Sequence, residues 1–467
     1  MSSIECDVAV IGAGTAGLSA ERRARQTGAK TILIDPAFAG TTCANVGCMP
    51  SKLLIAAARA AHTASASDVF GIRTEVVVDG ATVMRRVRTE RDRFARVTRD
   101  EIAKLPDGVV VKGRARFVDG ETLALEDGRT VRAKAIVLAT GARPSVPPSL
   151  CSISDLVLTN ETVFELDALP ATLAVIGAGP LGLELAQAMA RLGVATTVLD
   201  EGDAIGGLSG DVAEKLEAAL SLEFEIHLGV RIEATIVDHD AKLVWSGASE
   251  GEQRFERVLV AAGRPPTVRD LDLETTGIEL DEHGTPVFDR ETMRCGDSSI
   301  FVAGDADADR PVLHEASSEG AIAGANAAKL PEIVMARRNV PFSIMFTDPP
   351  VAIVGSKPGG GLVTGQASYE NQGRARVENR PTGLVEIYAD PGDGRLRGAT
   401  LFCPAADHLG HLLAWSIEAG CTADDLLNRP FYHPTFEEGL KPALRSICEQ
   451  VGLQLPDVSD EGGPPGA

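Results

Sequence analysis

Two cysteines that could form a redox-active disulfide, Cys43 and Cys48, are separated by four residues in the segment GTTCANVGCMPSK. Pro50 and the helix formers after it predict a helix that begins at or just before Cys48, because proline is favoured in a first turn. The unpaired N–H groups of such a helix end stabilise a thiolate, so one sulfur should be acidic and accessible. The intervening loop, with Asn45 and Gly47, is flexible enough to close a small disulfide. A structural bridge and two unrelated buried thiols are the alternatives at this point.

The composition indicates a protein of a reducing compartment, where a disulfide would be transient or catalytic. The chain has 467 residues and 8 cysteines, which is too sparse for a disulfide scaffold. It begins without a basic and apolar leader, and no apolar run reaches membrane-spanning length, so we expect a cytoplasmic protein. The net charge of −21 argues against nucleic acid and anionic membranes as partners. The lone cysteines are assigned to packing: Cys6, Cys151, Cys295, Cys403, Cys421 and Cys448.

The segments CDVAVIGAGTAGLSAERRARQTGAKTILID and ATLAVIGAGPLGLELAQAMARLGVATTVLD are two copies of one strand–helix–strand unit. Each has an apolar strand, three glycines in GxGxxG spacing, a helix closed by glycine and a second strand ending in aspartate. Corresponding positions are 165 residues apart, as from Gly12 to Gly177. This context predicts two dinucleotide-binding units. Their glycines and terminal acids are Gly12, Gly14, Gly17, Gly28 and Asp35, then Gly177, Gly179, Gly182, Gly193 and Asp200.

The glycines and the terminal aspartates have separate tasks in such a unit. The glycines form the tight turn and let the backbone approach a pyrophosphate at the helix N-terminus. Asp35 and Asp200 are predicted to accept hydrogen bonds from adenosine ribose, although each could merely end a strand. Glu201 follows Asp200, and no Lys or Arg is nearby to receive a 2′-phosphate, so the second site should prefer NAD(H) to NADP(H). Two sites imply one cofactor that stays and one that exchanges, with electrons passing between them.

Three further strand-to-turn segments fit a bound flavin and the second nucleotide. AIVLATGARP places Thr140 and Gly141 after a buried strand, and SIFVAGDADA places Gly304 and Asp305 in the same way. The backbone and carboxylate of Asp305 could contact the ribityl chain or the pyrophosphate. VLVAAGRPP, which contains Gly263, echoes the first segment and is predicted to close the second nucleotide domain. Each segment alone is a common signal.

In their order along the chain, these landmarks resemble the pyridine nucleotide–disulfide oxidoreductase family, and most closely its dihydrolipoyl dehydrogenases. LHEASSEG, FTDPPVAIVG and HPTFEE complete the resemblance over nearly the whole sequence. It implies an α/β fold with two Rossmann-like dinucleotide-binding domains, for FAD and NAD, and a C-terminal α+β dimerisation domain. The expected parts are the FAD domain at 1–149, the NAD domain at 150–280, a return segment completing the FAD domain at 281–340, the dimerisation domain at 341–452 and a disordered tail at 453–467.

The resemblance also implies roles for residues around the flavin. Cys48 would be the flavin-side thiolate of a charge-transfer complex, and Cys43 the interchange thiol that reacts with substrate sulfur. Lys52 and Glu184, the latter in the second nucleotide unit, match an ion pair close to the flavin ring, where positive charge stabilises the reduced flavin. The alternative is an ordinary helix-surface lysine and a helix glutamate. His314, in LHEASSEG, matches a position beside the flavin pyrimidine.

His433, in FYHPTFEEGL, matches the family's acid–base residue. An imidazole titrates near neutral pH, and a dithiol must lose protons as it is oxidised. Glu438 would orient the imidazole, and it would also form a capping box with Thr435 at a helix start. The two tasks are compatible. The family supplies this His–Glu pair from the other subunit, so the resemblance implies an obligate homodimer with two shared active sites.

The sequence departs from the family pattern near the cysteines and lacks features of several relatives. Gly40, Thr41 and Thr42 stand where most members have Gly-Gly-Thr, a change that could shift the loop against the flavin phosphate. The chain has no vicinal cysteine pair near its C-terminus and no N-terminal heavy-metal domain, which argues against mercuric reductase. It has no Gly-Cys or selenocysteine tail and no basic NADP pocket, which argues against large thioredoxin reductases and glutathione reductase.

The sequence therefore predicts an FAD-dependent, NAD-linked disulfide oxidoreductase that converts dihydrolipoyl protein and NAD⁺ to lipoyl protein and NADH. Its partners would be a second copy of the chain and a lipoyl-bearing carrier protein or 2-oxo acid dehydrogenase complex. One alternative is an NAD(P)H-dependent reductase of a low-molecular-weight disulfide or of a soft metal or metalloid ion. An alternative of another class is a flavoprotein subunit that binds FAD without turnover. No metal site is predicted.

Overall fold

A computed structural model describes residues 3–455. Most of the tail predicted to be disordered, residues 456–467, lies outside the described residues. The described chain forms one part with a mixed, mainly parallel sheet, a second part with a parallel sheet and a C-terminal part with an antiparallel sheet. The predicted fold class is confirmed by this arrangement, whereas the exact domain boundaries stay a prediction.

The first nucleotide part contains the first of the two repeated units. Its central strand is buried on both faces, with Val8, Ala9 and Val10 fully covered, as is typical inside a parallel sheet. Its elements are β1 (Ser3–Ile11), α1 (Thr15–Gln26), β2 (Thr31–Asp35), α2 (Thr42–Asn45), α3 (Cys48–Ser65), α4 (Gly80–Ile102), β3 (Val110–Lys112), β4 (Ala115–Phe117), β5 (Thr122–Leu125) and β6 (Thr130–Leu138). The strands lie in the order β3-β2-β1-β6-β5-β4.

The second nucleotide part repeats this design around the second unit. Its elements are β7 (Val157–Leu158), β8 (Thr172–Ile176), α5 (Pro180–Arg191), β9 (Ala195–Leu199), α6 (Gly210–Leu220), β10 (Glu225–His227), β11 (Val230–Val237), β12 (Asp240–Gly247), β13 (Gly251–Phe255) and β14 (Arg257–Val260). A parallel sheet has the order β10-β9-β8-β14-β7, and a separate antiparallel sheet has the order β11-β12-β13. Pro180 opens α5, where its missing N–H leaves no hydrogen bond unmade.

A return segment then rejoins the first sheet. Strand β15 (Ile300–Val302) pairs in parallel with β6, and helix α7 (Leu313–Lys329) packs along α1. The two helices approach closely because Gly320 has no side chain: an added Cβ would lie 2.2 Å from the Ala16 carbonyl oxygen. The return segment therefore contributes both a strand and a covering helix to the first nucleotide part.

The C-terminal part is an antiparallel sheet with helices packed against it. Its elements are β16 (Phe342–Met345), β17 (Val351–Gly355), β18 (Val363–Ser368), α8 (Gly373–Val377), β19 (Leu384–Ala389), β20 (Leu396–Phe402), α9 (Ala406–Glu418), α10 (Ala423–Leu427) and α11 (Lys441–Val451). The strand order is β16-β17-β20-β19-β18. Helix α9 packs on β17 and β20, and α11 packs on β18 and β19, so the core lies between this sheet and these helices.

The repeated glycines act by close packing as well as by turning the chain. Gly12 has a φ of +104°, and an added Cβ would lie 2.2 Å from the Ala139 carbonyl oxygen. At Gly17 an added Cβ would lie 1.8 Å from the Gly12 carbonyl oxygen. Gly177 and Gly182 meet their neighbours in the same way in the second unit. These contacts press each helix onto its strand and so bring the helix N-terminus to the sheet edge.

The lone cysteines divide into two groups. Packing is confirmed for four that are buried: Cys6, Cys295, Cys403 and Cys448. Cys151 is exposed and Cys421 is half-buried. The packing assignment is wrong for Cys151, because it lies in a short 3₁₀ segment whose buried contacts are made by Leu150 and Ile153 instead.

We expect Gly182→Ala to destabilise the second nucleotide part by about 3 kcal/mol, because a Cβ there would overlap backbone and push α5 away from β8. That atom would lie 2.0 Å from the Gly177 carbonyl oxygen. The midpoint of thermal unfolding, followed by circular dichroism, should fall. Gly179→Ala is the matched control, since no described atom lies within 4 Å of its added Cβ and its φ is −75°. Equal midpoints for the two variants would contradict this explanation.

Candidate active site

The two cysteines lie in α2 and α3, on either side of the short loop that joins these helices. Cys43 is inside α2, and Cys48 is the first residue of α3, which confirms its predicted position at a helix N-terminus. Thr41, which stands where most of the family has glycine, accepts a hydrogen bond from the Ala44 N–H at 3.3 Å and caps α2. The threonine that replaces the family's glycine therefore stabilises the start of α2.

The two sulfurs differ in acidity. Both are free thiols in the structure. A hydrogen bond from Cys43 lowers the pKa of Cys48 to about 6, against the effect of burial and with help from the Lys52 charge. The same hydrogen bond, with burial, raises the pKa of Cys43 well above its ordinary value. At neutral pH the reduced pair therefore holds a thiolate at Cys48 and a thiol at Cys43.

Lys52, one turn after Cys48 in α3, forms an ion pair with Glu184 of α5. The Lys52 Nζ and Glu184 Oε2 atoms are 2.7 Å apart, and Glu184 is only 4% exposed. Glu184 Oε1 accepts a hydrogen bond from the Phe346 N–H at 2.7 Å. Because a carboxylate this buried needs a partner, the two residues are not an unrelated surface pair. Glu184 thus faces Lys52 and does not line the second nucleotide cleft.

A cleft at the carboxyl edge of the first sheet contains both cysteines. Its walls come from the segments that follow β1, β6 and β15, as expected where parallel strands end together. Several of the predicted flavin-binding residues line it beside the cysteines: Gly14, Gly141, Gly304 and Asp305. The redox pair and the first nucleotide unit therefore share one site.

The polar groups of this cleft fit FAD. Arg264 donates from Nη2 to the Asp305 carboxylate at 2.8 Å, whereas its Nε is buried without a hydrogen-bond partner among the described residues. Thr140 does not line the cleft but lies between its lining residues Ala139 and Gly141, and its hydroxyl is also buried and unpartnered within residues 3–455. The N-terminus of α1 borders the cleft at Gly14 and Thr15 and has no capping side chain. Free donors at a helix end suit a pyrophosphate.

Other residues predicted for the flavin site lie beside the cleft and do not line it. Gly12 and Gly17 pack beneath the loop. Asp35 ends β2 and accepts the Ala13 N–H at 3.0 Å, so its carboxylate holds the glycine loop in place. His314 is exposed in the first turn of α7. Ribose binding by Asp35 and flavin contact by His314 stay predictions.

The second nucleotide unit has its own cleft, without cysteines among its lining residues in the described chain. It is lined by four of the predicted nucleotide-binding residues: Gly177, Gly179, Asp200 and Gly263. Asp200 accepts the Ala178 N–H, as Asp35 accepts that of Ala13 in the first unit. Glu201 also lines this cleft, and none of its described lining residues is Lys or Arg. Gly182 packs behind it on the Gly177 carbonyl.

His433 and Glu438 form a contact in the C-terminal part. The His433 Nδ1 and Glu438 Oε2 atoms are 3.0 Å apart, and Glu438 is 4% exposed. The same oxygen accepts the Thr435 N–H at 3.2 Å. The Thr435 hydroxyl donates to the Tyr432 carbonyl. The helical turn has Phe436 at its N-cap and no side-chain cap hydrogen bond, so only the half of the predicted capping box that Glu438 supplies is formed. His433 does not line the cleft that contains the cysteines within this described chain.

The backbone around this pair is fixed by two buried side chains that the sequence analysis did not identify. Gln372 donates from Nε2 to the Thr435 carbonyl at 2.7 Å, and the Tyr369 hydroxyl donates to the Phe436 carbonyl at 2.8 Å. Arg264 and Phe346 were also missed as site residues. Both residues lie in segments that resemble the family, AAGRPP and FTDPPVAIVG. This resemblance was the sequence signal that could have identified them as site residues.

Comparison with known proteins gives two family matches that together span most of the chain. The model described as pyridine nucleotide-disulphide oxidoreductase matches residues 6–321. The model of the dimerisation domain of the same family matches residues 341–444.

The similar curated proteins carry two different activities. Dihydrolipoyl dehydrogenase of Haloferax volcanii is 32% identical over 466 residues, covering 95% of this chain and 97% of the relative. Mercuric reductase of Acidithiobacillus ferrooxidans is 32% identical over 474 residues, covering 96% of this chain and 83% of the relative.

Solved structures support the fold. The Cu(II) complex of the HOCl-induced flavoprotein disulfide reductase RclA from Escherichia coli has a TM-score of 0.82 at 22% identity, covering 95% of this chain and 99% of that one. LpdA from Mycobacterium tuberculosis has a TM-score of 0.81 at 23% identity, covering 96% and 100%. Among the described residues, no helix has the length and apolar character to cross a membrane.

In the reduced protein, we expect Cys48 to be alkylated by iodoacetamide with a rate that rises through a midpoint near pH 6, because the thiolate is the reactive form. Cys43→Ala should raise this midpoint, since it removes the hydrogen bond to the thiolate. Cys43→Ser is the matched control, because its hydroxyl can still donate, and its midpoint should lie between the other two. Site-resolved mass spectrometry measures the rates. An unchanged midpoint in Cys43→Ala would contradict the assignment.

Proposed function

Since this chain belongs to the pyridine nucleotide-disulphide oxidoreductase family, we propose that it is a dihydrolipoyl dehydrogenase, which oxidises protein-bound dihydrolipoyl groups with NAD⁺. Members of the family are FAD-dependent enzymes that use a nicotinamide nucleotide. The observation that carries the proposal is the unequal pair of thiols, Cys43 and Cys48, inside a nucleotide cleft. The match to a dihydrolipoyl dehydrogenase over nearly its full length supports the substrate class.

The acidity difference assigns each sulfur a step in thiol–disulfide exchange. A substrate thiolate would attack the Cys43 sulfur of the oxidised pair, forming a mixed disulfide and releasing Cys48 as the thiolate. Cys48 is the better leaving group because its pKa is the lower one. The second substrate thiolate would then attack the substrate sulfur in the mixed disulfide and release Cys43. The substrate leaves as a disulfide, and its two electrons remain on the cysteine pair.

Each exchange step needs a base for a substrate thiol proton. His433 would take this proton at Nε2, because the Glu438 carboxylate fixes the hydrogen of Nδ1 at a separation of 3.0 Å. Within one described chain this imidazole does not border the cysteine cleft. We infer that it serves the cleft of the partner subunit, and the dimerisation domain supports a homodimer.

The cofactors would occupy the two clefts. FAD, when bound, supplies the two-electron acceptor that passes a hydride to NAD⁺. The N-terminus of α1, Arg264 and Thr140 would hold its polar groups, and Lys52 would place positive charge near the pair. In the second cleft, Asp200 and Glu201 would favour NAD(H), because a 2′-phosphate would meet carboxylates and no cation.

The substrate carrier would be a lipoyl-bearing protein, free or within a 2-oxo acid dehydrogenase complex, in the cytoplasm. The second candidate function is an NAD(P)H-dependent reductase of a small disulfide or of a soft metal ion. The similarity to mercuric reductase favours it; the fold neighbour RclA was solved as a Cu(II) complex. Both candidates use the same cysteine pair, so the direction of electron flow separates them.

Steady-state assays should distinguish the two candidates. We expect rapid NADH formation from dihydrolipoamide and NAD⁺, and slow NADH oxidation with oxidised glutathione, Hg²⁺ or Cu²⁺. Cys43→Ser should keep FAD and NADH binding and lose exchange with the dithiol. Absence of dihydrolipoamide turnover beside a fast metal or glutathione reaction would replace the first candidate with the second. Full dithiol activity in Cys43→Ser would show that the role of Cys43 is wrong.

Glu438→Gln should lower kcat for dihydrolipoamide oxidation by about 100-fold, because an amide no longer stabilises the imidazolium. The amide oxygen can still accept the Thr435 N–H, so the thermal midpoint should change little. Glu437→Gln is the neighbouring control, since the carboxylate in contact with the His433 Nδ1 is that of Glu438, and its kcat should stay within about twofold. Equal kcat values for both variants would remove Glu438 from the mechanism.

A further inference from the structure

Phe346 connects the C-terminal part to the Lys52–Glu184 pair through two contacts. Its backbone N–H donates to Glu184 Oε1 at 2.7 Å, while Lys52 donates to Oε2 at 2.7 Å. Each carboxylate oxygen therefore has its own donor. The Lys52 Nζ also lies over the Phe346 ring, 4.5 Å from its centroid, within the range of a cation–π interaction. One residue thus holds both members of the ion pair.

The segment that carries Phe346 is itself fixed on α5. The Asp348 N–H donates to Gln187 Oε1 at 2.8 Å, and Arg191 donates to the Asp348 carboxylate at 2.8 Å. Glu184, Gln187 and Arg191 are three and four residues apart, so they share one face of the helix. The aromatic ring therefore has little freedom to move away from the lysine.

An aromatic ring differs from a second carboxylate in what it does to the lysine. It attracts the ammonium through its quadrupole and adds no negative charge. A further carboxylate would cancel the positive field that acts on a nearby thiolate. Lys52 is one turn from Cys48 in α3, and its charge lowers the pKa of that thiol.

We propose that Phe346 is a positioning residue for the redox thiolate: it holds the Lys52 ammonium where its charge acts on Cys48. This inference rests on the proposed redox role of Cys48. It makes the acidity of a thiol in the first nucleotide part depend on a side chain of the C-terminal part. The other titratable groups that act on Cys48 are Cys43 and Glu184, and neither is altered in the test.

The test compares Phe346→Leu, which removes the ring, with Phe346→Tyr, which keeps it. In the holoenzyme reduced with dithiol, we measure the rate of Cys48 alkylation by iodoacetamide as a function of pH. The midpoint should rise by about half a pH unit in Phe346→Leu and stay at the parent value in Phe346→Tyr. If Phe346→Leu does not fold, Phe346→Met removes the ring with another flexible apolar side chain.

A double-mutant cycle with Lys52→Met separates positioning from packing. In the Lys52→Met background, Phe346→Leu should leave the midpoint unchanged, because the lysine through which the ring acts is gone. The proposal is overturned by a parent-like midpoint in Phe346→Leu, or by the same shift with and without Lys52. The titration requires no turnover of dihydrolipoamide, so its outcome is independent of whether that substrate is the right one.

Discussion

The buried carboxylate of Glu184 joins three parts of the chain beside the redox pair. One oxygen binds an ammonium from the first nucleotide part, and the other binds a backbone N–H from the C-terminal part. Glu184 itself belongs to α5 of the second nucleotide part. A carboxylate removed from water is stable only when its oxygens have donors. The relative positions of α3, α5 and the segment after β16 are therefore linked by the need to satisfy one charge.

The two nucleotide units share their glycine loops and differ in what lies around them. In each, an aspartate at the end of the second strand accepts an N–H of the loop. The first cleft is bordered by Cys43, Cys48 and Arg264, whereas the second is bordered by carboxylates. The repeated unit thus accounts for nucleotide binding. Helices α2 and α3, which follow the first unit, add the two redox cysteines.

Short-range features of the site could be predicted from the sequence, and long-range contacts could not. The helix start at Cys48 and the packing of Gly17 follow from residue types a few positions apart. The Phe346 and Glu184 contact joins residues 162 positions apart, and spacing alone contains no information on it. At Thr435 even the local prediction was incomplete, because the helical turn begins at Glu437 and places Phe436, not Thr435, at its N-cap. The residue at which a turn begins depends on the folded geometry of the loop.

Because β15 returns to the first sheet, the cysteine cleft is completed late while the ribosome makes the chain. Gly304 and Asp305 close the cleft, so it cannot form until about two thirds of the 467 residues have been translated. The strands of the second nucleotide part, from β7 to β14, pair only with one another, so this part can fold in the meantime. The part that begins later in the sequence is thus finished earlier. The cofactor of this cleft can therefore bind only late in synthesis. Until β15 has joined the first sheet, the two thiols lie in an incomplete site.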